Sequence, residues 1–488
     1  MLADFRPNTL RLALFASLSI AGCGAYQPLT RAPPSADHAW TGPDLARVSA
    51  GLRGTEPAAN APRADREPGR SYTLAELIDV AERTNPETRV AWERARQAAF
   101  AAGIAEGLYY PRLVAAATAA IASVPLPIPQ TVVPGGVFRA DTHFIVPALS
   151  LEWLMLDFGR RAAVVDAAQA LIAEANAGFN AKHQEVVFNV TRDFYTWTAA
   201  RGKVNADRAA LDAARTLVDS VSARLTRGLA TRPEVLQVDE EAARATYDLQ
   251  DALAAEQDAR MALLESVGVS PYEPIEIADV SAEPLPPELA ESVDHAIDRA
   301  LGQRPDLVAL LARVQAREAA VRQARADFWP KLVVKGDLGE NYGALRVERG
   351  SFEHVSESQY AVGFRLEWDL FSGFERRNKL ELARSQQKEA EDVLEHAKEK
   401  AVRQVWTAYN DAAVALVKQR AAAALLTASE KTWSATLESY NHGLATLPDV
   451  REAVRNLARA RALEQASRSE AWTRTAAFAV STGDLAQP

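Results

Sequence analysis

The residues from 402 to 440 carry a mostly apolar stripe that recurs in alternating steps of three and four. Its positions are Val402, Val405, Tyr409, Ala412, Leu416, Gln419, Ala423, Leu426, Glu430, Trp433, Leu437 and Tyr440. The same frame occurs 215 residues earlier, at Val187, Val190, Phe194, Trp197, Val204 and Leu211. This alternation is typical of coiled-coil packing. We therefore predict two long helices; the first, residues 160–227, contains no proline and would be about 100 Å long.

Both long helices are followed by the same short turn. The turns are Gly228, Leu229, Ala230 and Thr231 in the first copy and Gly443, Leu444, Ala445 and Thr446 in the second. Glycine adopts the left-handed conformation that closes a helix. Threonine caps the next helix, and proline two residues later fits its first turn. The sequence therefore predicts two helical hairpins with their tips at these turns.

Four short segments alternate with a period of two: residues 113–121, 145–153, 332–337 and 360–368. In the last segment Tyr360, Val362, Phe364, Leu366 and Trp368 share one face, opposite Ala361, Gly363, Arg365 and Glu367. This pattern is typical of a membrane barrel strand, apolar towards lipid and polar towards the lumen. A half-buried soluble sheet gives the same alternation, and the alanine-rich first segment has no clear orientation.

These features occur twice, at an offset of about 215 to 219 residues. Both copies have matching X-Pro steps before the strands, a Leu-Glu-Trp segment, a Phe-x-Arg-Arg segment and the Gly-Leu-Ala-Thr turn. The sequence predicts an internally duplicated α+β fold. Residues 71–290 and 291–488 would each contain a helix, two strands and a long helical hairpin.

The N-terminal residues have the features of an export signal. Basic residues and a short apolar run precede Ala21, Gly22 and Cys23, and Cys23 is the one cysteine of the chain. We expect a signal peptide over residues 1–22 and a lipidated tether over residues 23–70. Ile20 to Cys23 resemble the lipobox of bacterial lipoproteins; a secretory signal with an incidental cysteine is the alternative. The resemblance implies lipid at Cys23, and Gly24 after it favours the outer membrane.

Beyond the signal, no run of 18 apolar residues predicts a membrane-spanning helix. A chain that crosses a membrane would then do so as a closed barrel.

Composition narrows the function classes. The chain has 488 residues, of which 48% are apolar and 24% charged, as in ordinary folded proteins. The net charge of −9 gives no reason to expect nucleic-acid binding. No nucleotide-binding, hydrolase or metalloprotease motif occurs. We expect no enzyme, no metal and no cofactor other than lipid, and we interpret Glu240 and Glu241 as solvated residues of a coiled coil.

Over residues 70–482 the ordered, duplicated set of motifs resembles the TolC-like outer membrane efflux protein family. The resemblance implies a homotrimer in which each subunit contributes four strands to one 12-stranded barrel and two hairpins to a periplasmic tunnel. Four strands alone cannot enclose a conducting lumen, which needs roughly 12 or more. The lipobox is similar to that of the efflux-pump branch.

The resemblance also implies two functional regions. The tips would meet a periplasmic adaptor protein, although they could also be helix caps alone. Asp449, Glu452 and Arg455 would form the periplasmic gate, with Arg455 pairing with Glu452; as an alternative, Asp449 is only a first-turn carboxylate that favours the helix dipole. In the first copy, Glu234 and Asp239 align less clearly with these acids.

The implied function is that of a passive exit duct in a tripartite efflux system. It would contact the adaptor directly, an inner-membrane pump indirectly, and outer-membrane lipid. An outer-membrane component of type I protein secretion and a periplasmic coiled-coil adaptor are the alternatives.

Overall fold

The same series of helices and strands occurs twice along the chain. A computed structural model describes residues 71–127, 137–273, 275–280, 283–347 and 350–484. The first series is β1 (Ser71–Tyr72), α1 (Leu74–Thr84), α2 (Pro86–Glu106), β2 (Arg112–Pro127), β3 (Val137–Leu156), α3 (Arg160–Thr226) and α4 (Arg232–Val267). The second is β4 (Glu276–Ile277), α5 (Val293–Gln303), α6 (Pro305–Ala326), β5 (Lys331–Val347), β6 (Glu353–Glu367), α7 (Glu375–Asn441) and α8 (Leu447–Thr482). The predicted duplication is confirmed. The predicted signal, tether and Cys23 lie outside the described residues.

The long helices α3 and α7 have 67 residues each, and α4 and α8 have 36 each. Four helices pack side by side in the order α4, α3, α8 and α7 along one half of the long helices. Along the other half the order is α2, α3, α6 and α7. The predicted seam of α3 is buried from Val187 to Leu211. The seam of α7 is buried or half-buried except at Glu430. The two hairpins therefore pack side by side.

The four long strands form one antiparallel sheet in the order β2, β3, β5 and β6. Among the described residues, β2 and β6 are its two edges, and each pairs on one side only. The strands have 15 to 20 residues, so they are longer than predicted. Beyond the predicted segments, apolar and polar residues do not alternate regularly along the strands, so period two does not reveal their full length. A short parallel pair, β1 with β4, was not predicted from the sequence.

The strand registers assign side chains to two faces. Residues opposite each other in an antiparallel pair project to the same face. One face carries Leu113, Ile145, Leu149, Leu151, Trp153, Leu332, Val334, Leu338, Tyr360, Val362, Phe364 and Leu366. The other face carries charged and small residues, including a row formed by Arg112, Glu152, Lys335 and Gly363. Near the helical end the sheet is therefore apolar on one side and polar on the other, whereas further along the strands the first face also carries Asp141, Glu340 and Arg346.

Two tryptophans make the same contact at the end of the sheet where the long helices begin. The Trp153 indole Nε1–H donates to the Tyr109 carbonyl, and the Trp368 Nε1–H donates to the Phe328 carbonyl, both at 3.0 Å. Trp368, predicted to lie in a strand, follows the last strand residue Glu367. The duplicated joints thus hold strand and helix in equivalent geometry.

None of the helices described above is long and apolar enough to span a membrane.

Candidate functional site: the hairpin tips and the polar face of the sheet

The predicted tip turns have the geometry of Schellman motifs. Gly228 has a φ of 70° and Gly443 a φ of 75°, both in the left-handed region. The Leu229 N–H donates to the Arg224 carbonyl at 2.9 Å, and the Leu444 N–H donates to the Ser439 carbonyl at 2.8 Å. Each long helix therefore ends sharply, and the chain reverses within four residues.

Each second helix of a hairpin begins with a capping box. The Thr446 N–H and hydroxyl donate to Asp449 Oδ2 at 2.8 and 2.6 Å. The equivalent bonds join Thr231 to Glu234 Oε2, at 2.5 and 2.9 Å. Glu234 is therefore the structural counterpart of Asp449, an alignment that the sequence left unclear.

The capping bonds favour the charged form of both carboxylates. Bonds from the hydroxyl and then the N–H of Thr446 lower the pKa of Asp449. Bonds from the N–H and then the hydroxyl of Thr231 lower the pKa of Glu234. Both tips therefore carry a carboxylate that stays ionised well below neutral pH.

In each turn the leucine side chain is exposed, whereas the alanine packs against the core of the tips. Leu229 is 66% exposed and Leu444 is 83% exposed. Ala230 and Ala445 instead pack on an apolar cluster formed by Leu217, Val221, Val238, Tyr440, Leu447 and Val450. The two alanines are half-buried, so they do not belong to the exposed surface of the turns. One exposed leucine per tip remains for a partner.

This cluster combines residues of both hairpins, so the two tips share one core. The Arg224 guanidinium, on α3, lies 4.7 Å from the centre of the Tyr440 ring, on α7. Such a cation–π contact adds a polar connection to the apolar packing. The tips of one subunit therefore form one unit rather than two independent ends.

The gate candidates lie on the first three turns of α8. Glu452 and Arg455 are exposed. We expected Arg455 to pair with Glu452. Instead, Arg455 Nη1 lies 3.7 Å from Glu241 Oε2, so within the chain Arg455 pairs with Glu241. The structure brings Asp449, Glu452 and Arg455 to the tip end of one helix.

An ion pair between α4 and α8 was not predicted from the sequence. Arg451 Nη2 lies 2.8 Å from Glu241 Oε2, and both side chains are more than four-fifths buried. Glu241 is therefore not the solvated residue that we expected. The spacing of Arg451 and Arg455 on one helix face was an available signal, but their acidic partner lies 210 residues away from Arg451.

Among the residues that the structure describes, no three His, Cys, Asp or Glu side chains are placed to hold a metal ion. A sheet with one apolar and one polar face, continued by helical hairpins about 100 Å long, defines the fold of an outer-membrane channel with a helical tunnel.

A model of the outer membrane efflux protein family matches the chain twice, over residues 77–269 and 296–483. The chain belongs to this family, and it is an outer-membrane efflux duct. The predicted family, α+β fold and duct function are confirmed.

Two curated relatives and one solved structure illustrate the similarity. The chain is 26% identical over 415 residues to Protein CyaE of Bordetella pertussis, covering 84% of each chain. It is 26% identical over 302 residues to the alkaline protease secretion protein AprF of Pseudomonas aeruginosa, covering 59% of each. The outer membrane protein VceC of Vibrio cholerae has the same fold, with a TM-score of 0.70 and 21% identity over 84% of this chain and 96% of VceC.

Proposed function

We propose that three copies of this chain form a passive exit duct of a tripartite efflux system. The observation that carries the proposal is the sheet itself, because four strands with two unpaired edges are incomplete as a barrel. Unpaired edges expose backbone N–H and C=O groups, and a membrane requires that they be paired. Three sheets joined edge to edge supply the 12 strands that a conducting lumen needs.

The two edge strands suit each other in length and direction. β2 has 16 residues and β6 has 15, and the alternating sheet makes β6 of one copy antiparallel to β2 of the next. Pairing over the whole of β6 places Arg112 opposite Glu367 of the next copy and Leu126 opposite Glu353 of the next copy. This register keeps the apolar faces on one side and the polar faces on the other.

The side chains of the two edges are complementary in this register. Opposite charges meet at Arg112 and Glu367. On the apolar face, alanines of β2 meet large residues of β6, and the pairs are Ala115 with Phe364, Ala117 with Val362, and Ala119 with Tyr360. Tyr360, Val362 and Phe364 are each more than 70% exposed in the single chain. The alanine-rich composition of β2 would then serve to receive them.

Disulfide trapping tests this subunit contact. Ala117 and Val362 lie on opposite edges of the sheet, separated by two strands, so Ala117→Cys with Val362→Cys can cross-link only between copies. Directly opposed residues are close enough for a disulfide. We expect a trimeric ladder on a non-reducing gel. Ala117→Cys with Phe364→Cys reports the neighbouring register; absence of cross-links from both pairs would overturn the trimeric barrel.

The tips would contact a periplasmic adaptor, which would connect the duct to an inner-membrane pump. The exposed Leu229 and Leu444 on rigid turns support this role. The gate would comprise Asp449, Glu452 and Arg455, held by Glu241 and Arg451. The two repeats, 71–290 and 291–488, would act as a conduit and not as a catalyst.

The signal and the tether complete the proposal at the N-terminus. Residues 1–22 would be removed, and lipid at Cys23 would anchor residues 23–70 to the outer membrane. The lipobox-like tetrad from Ile20 to Cys23 supports this step.

Type I protein secretion is a second candidate, supported by the similarity to an alkaline protease secretion protein. Deletion of the gene separates the two. Loss of an extracellular protein with unchanged drug tolerance supports secretion, whereas increased drug sensitivity with an unchanged set of secreted proteins supports efflux.

A further inference from the structure

The polar face of the sheet has an uneven charge distribution along the strands. Near the helical end it carries four basic residues, Arg112, Lys331, Lys335 and Arg365, and two acidic residues, Glu152 and Glu367. The next rows towards the other end carry Asp337, Glu357 and Glu353. In the described part of the strands, no lysine or arginine projects from the polar face beyond Lys335. The face is therefore positive at its base and negative above it.

The acidic residues at the base do not neutralise all four basic residues. Lys335 Nζ lies 3.7 Å from Glu152 Oε2. Arg112 and Arg365 form no ion pair with any described residue of their own chain. In the proposed subunit contact Arg112 meets Glu367 of the next copy, while Arg365 comes opposite Val114 of the next copy. The base keeps a net charge of +2 per chain, since four basic and two acidic side chains lie there.

We propose that this base is a basic collar, formed by Arg112, Lys331, Lys335 and Arg365 of three copies, that binds anions where the tunnel enters the barrel. Its ligands would be solutes with phosphate, sulfate or carboxylate groups. Guanidinium groups suit such anions because their donors match two oxygens at once. The collar rests on the proposed trimeric duct, because only a closed barrel brings three copies together around one lumen.

Asp337 lies two residues from Lys335, about 7 Å along β5, and lowers the net charge of the collar to +1 per chain. The collar is separated from the two acids further along β6, Glu357 and Glu353. Glu357 lies six residues along β6 from Gly363, which is about 20 Å of extended strand. The Debye length at physiological salt is about 8 Å. The collar and the distal acids therefore act on a solute one after the other, and an anion would be held at the base and repelled beyond it.

Block of single channels by inorganic tripolyphosphate tests the collar. The purified full-length trimer is placed in a planar lipid bilayer, the probe is added on the barrel side, and the voltage drives anions into the lumen. We expect concentration-dependent block that weakens as salt rises. The Arg112→Gln, Arg365→Gln double variant should lose about tenfold in blocking affinity, because six charges each contribute a small, screened share.

A matched control removes charge of the opposite sign in the same lumen. Glu353→Gln with Glu357→Gln leaves the collar unchanged and should strengthen the block. Equal block of wild type and the arginine variant would overturn the collar while leaving the duct intact. If the double variant does not assemble, the single variant Arg365→Gln gives the same test, because Arg365 has no charged partner in the subunit contact. The expected loss of blocking affinity is then smaller. A preparation without trimers would overturn the duct, and the collar with it.

Discussion

Arg451 of α8 and Glu241 of α4 form an ion pair of 2.8 Å that joins the two hairpins of one subunit. Both side chains are largely buried, so the pair is screened less than a surface pair. Arg455 makes a longer contact of 3.7 Å with the same carboxylate and is itself 46% exposed. These two arginines therefore provide a matched comparison at one acceptor.

Arg451→Gln should loosen the tip end of α8 from α4. Loss of a charge-assisted hydrogen bond removes about 1.5–3 kcal/mol, so we expect a larger single-channel conductance in a planar bilayer. Arg455→Gln, which removes a proposed gate residue but breaks a longer and more exposed contact with the same carboxylate, should raise the conductance by a smaller amount. Equal effects of the two substitutions would show that the 2.8 Å pair has no special role in holding the tips together.

Asp449 combines a capping role with a proposed gate role, and two substitutions separate them. Asp449→Asn removes the charge, whereas Thr446→Val removes the hydroxyl of the cap and keeps the charge. We expect cation preference, measured from the reversal potential in a salt gradient, to fall for Asp449→Asn and not for Thr446→Val. A fall in both variants would mean that the cap geometry, and not the carboxylate charge, sets the selectivity.

The same carboxylate predicts a pH dependence. Its pKa is lowered in the folded protein by bonds from Thr446. The stabilisation is therefore complete above the pKa of the unfolded chain and is lost as the pH falls through the lowered folded pKa. The Thr446 hydroxyl also accepts a bond from the Asp449 N–H, which is independent of pH, so Thr446→Val should be less stable than wild type at every pH. The difference in thermal unfolding should be largest at neutral pH and shrink in acid, where the bond to the charged carboxylate is lost. A difference of the same size at all pH values would contradict the role of the carboxylate in the cap.

Gly443→Val should impair coupling to the adaptor without unfolding the subunit. A β-branched residue with a φ of 75° is strained by about 1–2 kcal/mol. This strain is enough to distort the tip, but it is small compared with the free energy that packing of the long helices contributes. Gly178→Ala is the control, because a Cβ there meets nothing within 4 Å and its φ is not positive. Drug tolerance should fall only for Gly443→Val; unchanged tolerance in cells with a functional pump would count against docking at the tips.

Cys23→Ser tests the anchor. A lipidated cysteine adds the mass of its acyl chains, and more than one chain gives lasting membrane attachment. We expect the variant to lose this mass in intact-protein mass spectrometry. The same mass for wild type and variant, apart from the change of one side chain, would contradict lipidation.

Features that repeat within a short segment of the sequence were predicted best. The seam from Val187 to Leu211 and the turns at Gly228 and Gly443 are local patterns, and the structure has them where they were predicted. The strands were predicted in place but too short, because alanine-rich stretches of β2 show no alternation of polarity.

Long-range pairs were beyond a single-sequence prediction. Glu241 is one acid among many on a charged helix, and nothing near it in the chain indicates that Arg451 neutralises it. The orientation of Ala230 depended in the same way on Tyr440 and Leu447 of the other hairpin. Such contacts depend on how the two copies pack, which a repeat pattern alone does not specify.

The equal lengths of α3 and α7 limit how this protein can change in evolution. Deleting one residue from a helix turns everything beyond it by about 100°, which would move one tip away from the core that it shares with the other. Removing a whole heptad preserves the phase and shortens a helix by about 10 Å, but only if all the helices that pack alongside are shortened together. The distance between the sheet and the tips can therefore change only in discrete steps, made jointly in both copies of the duplication.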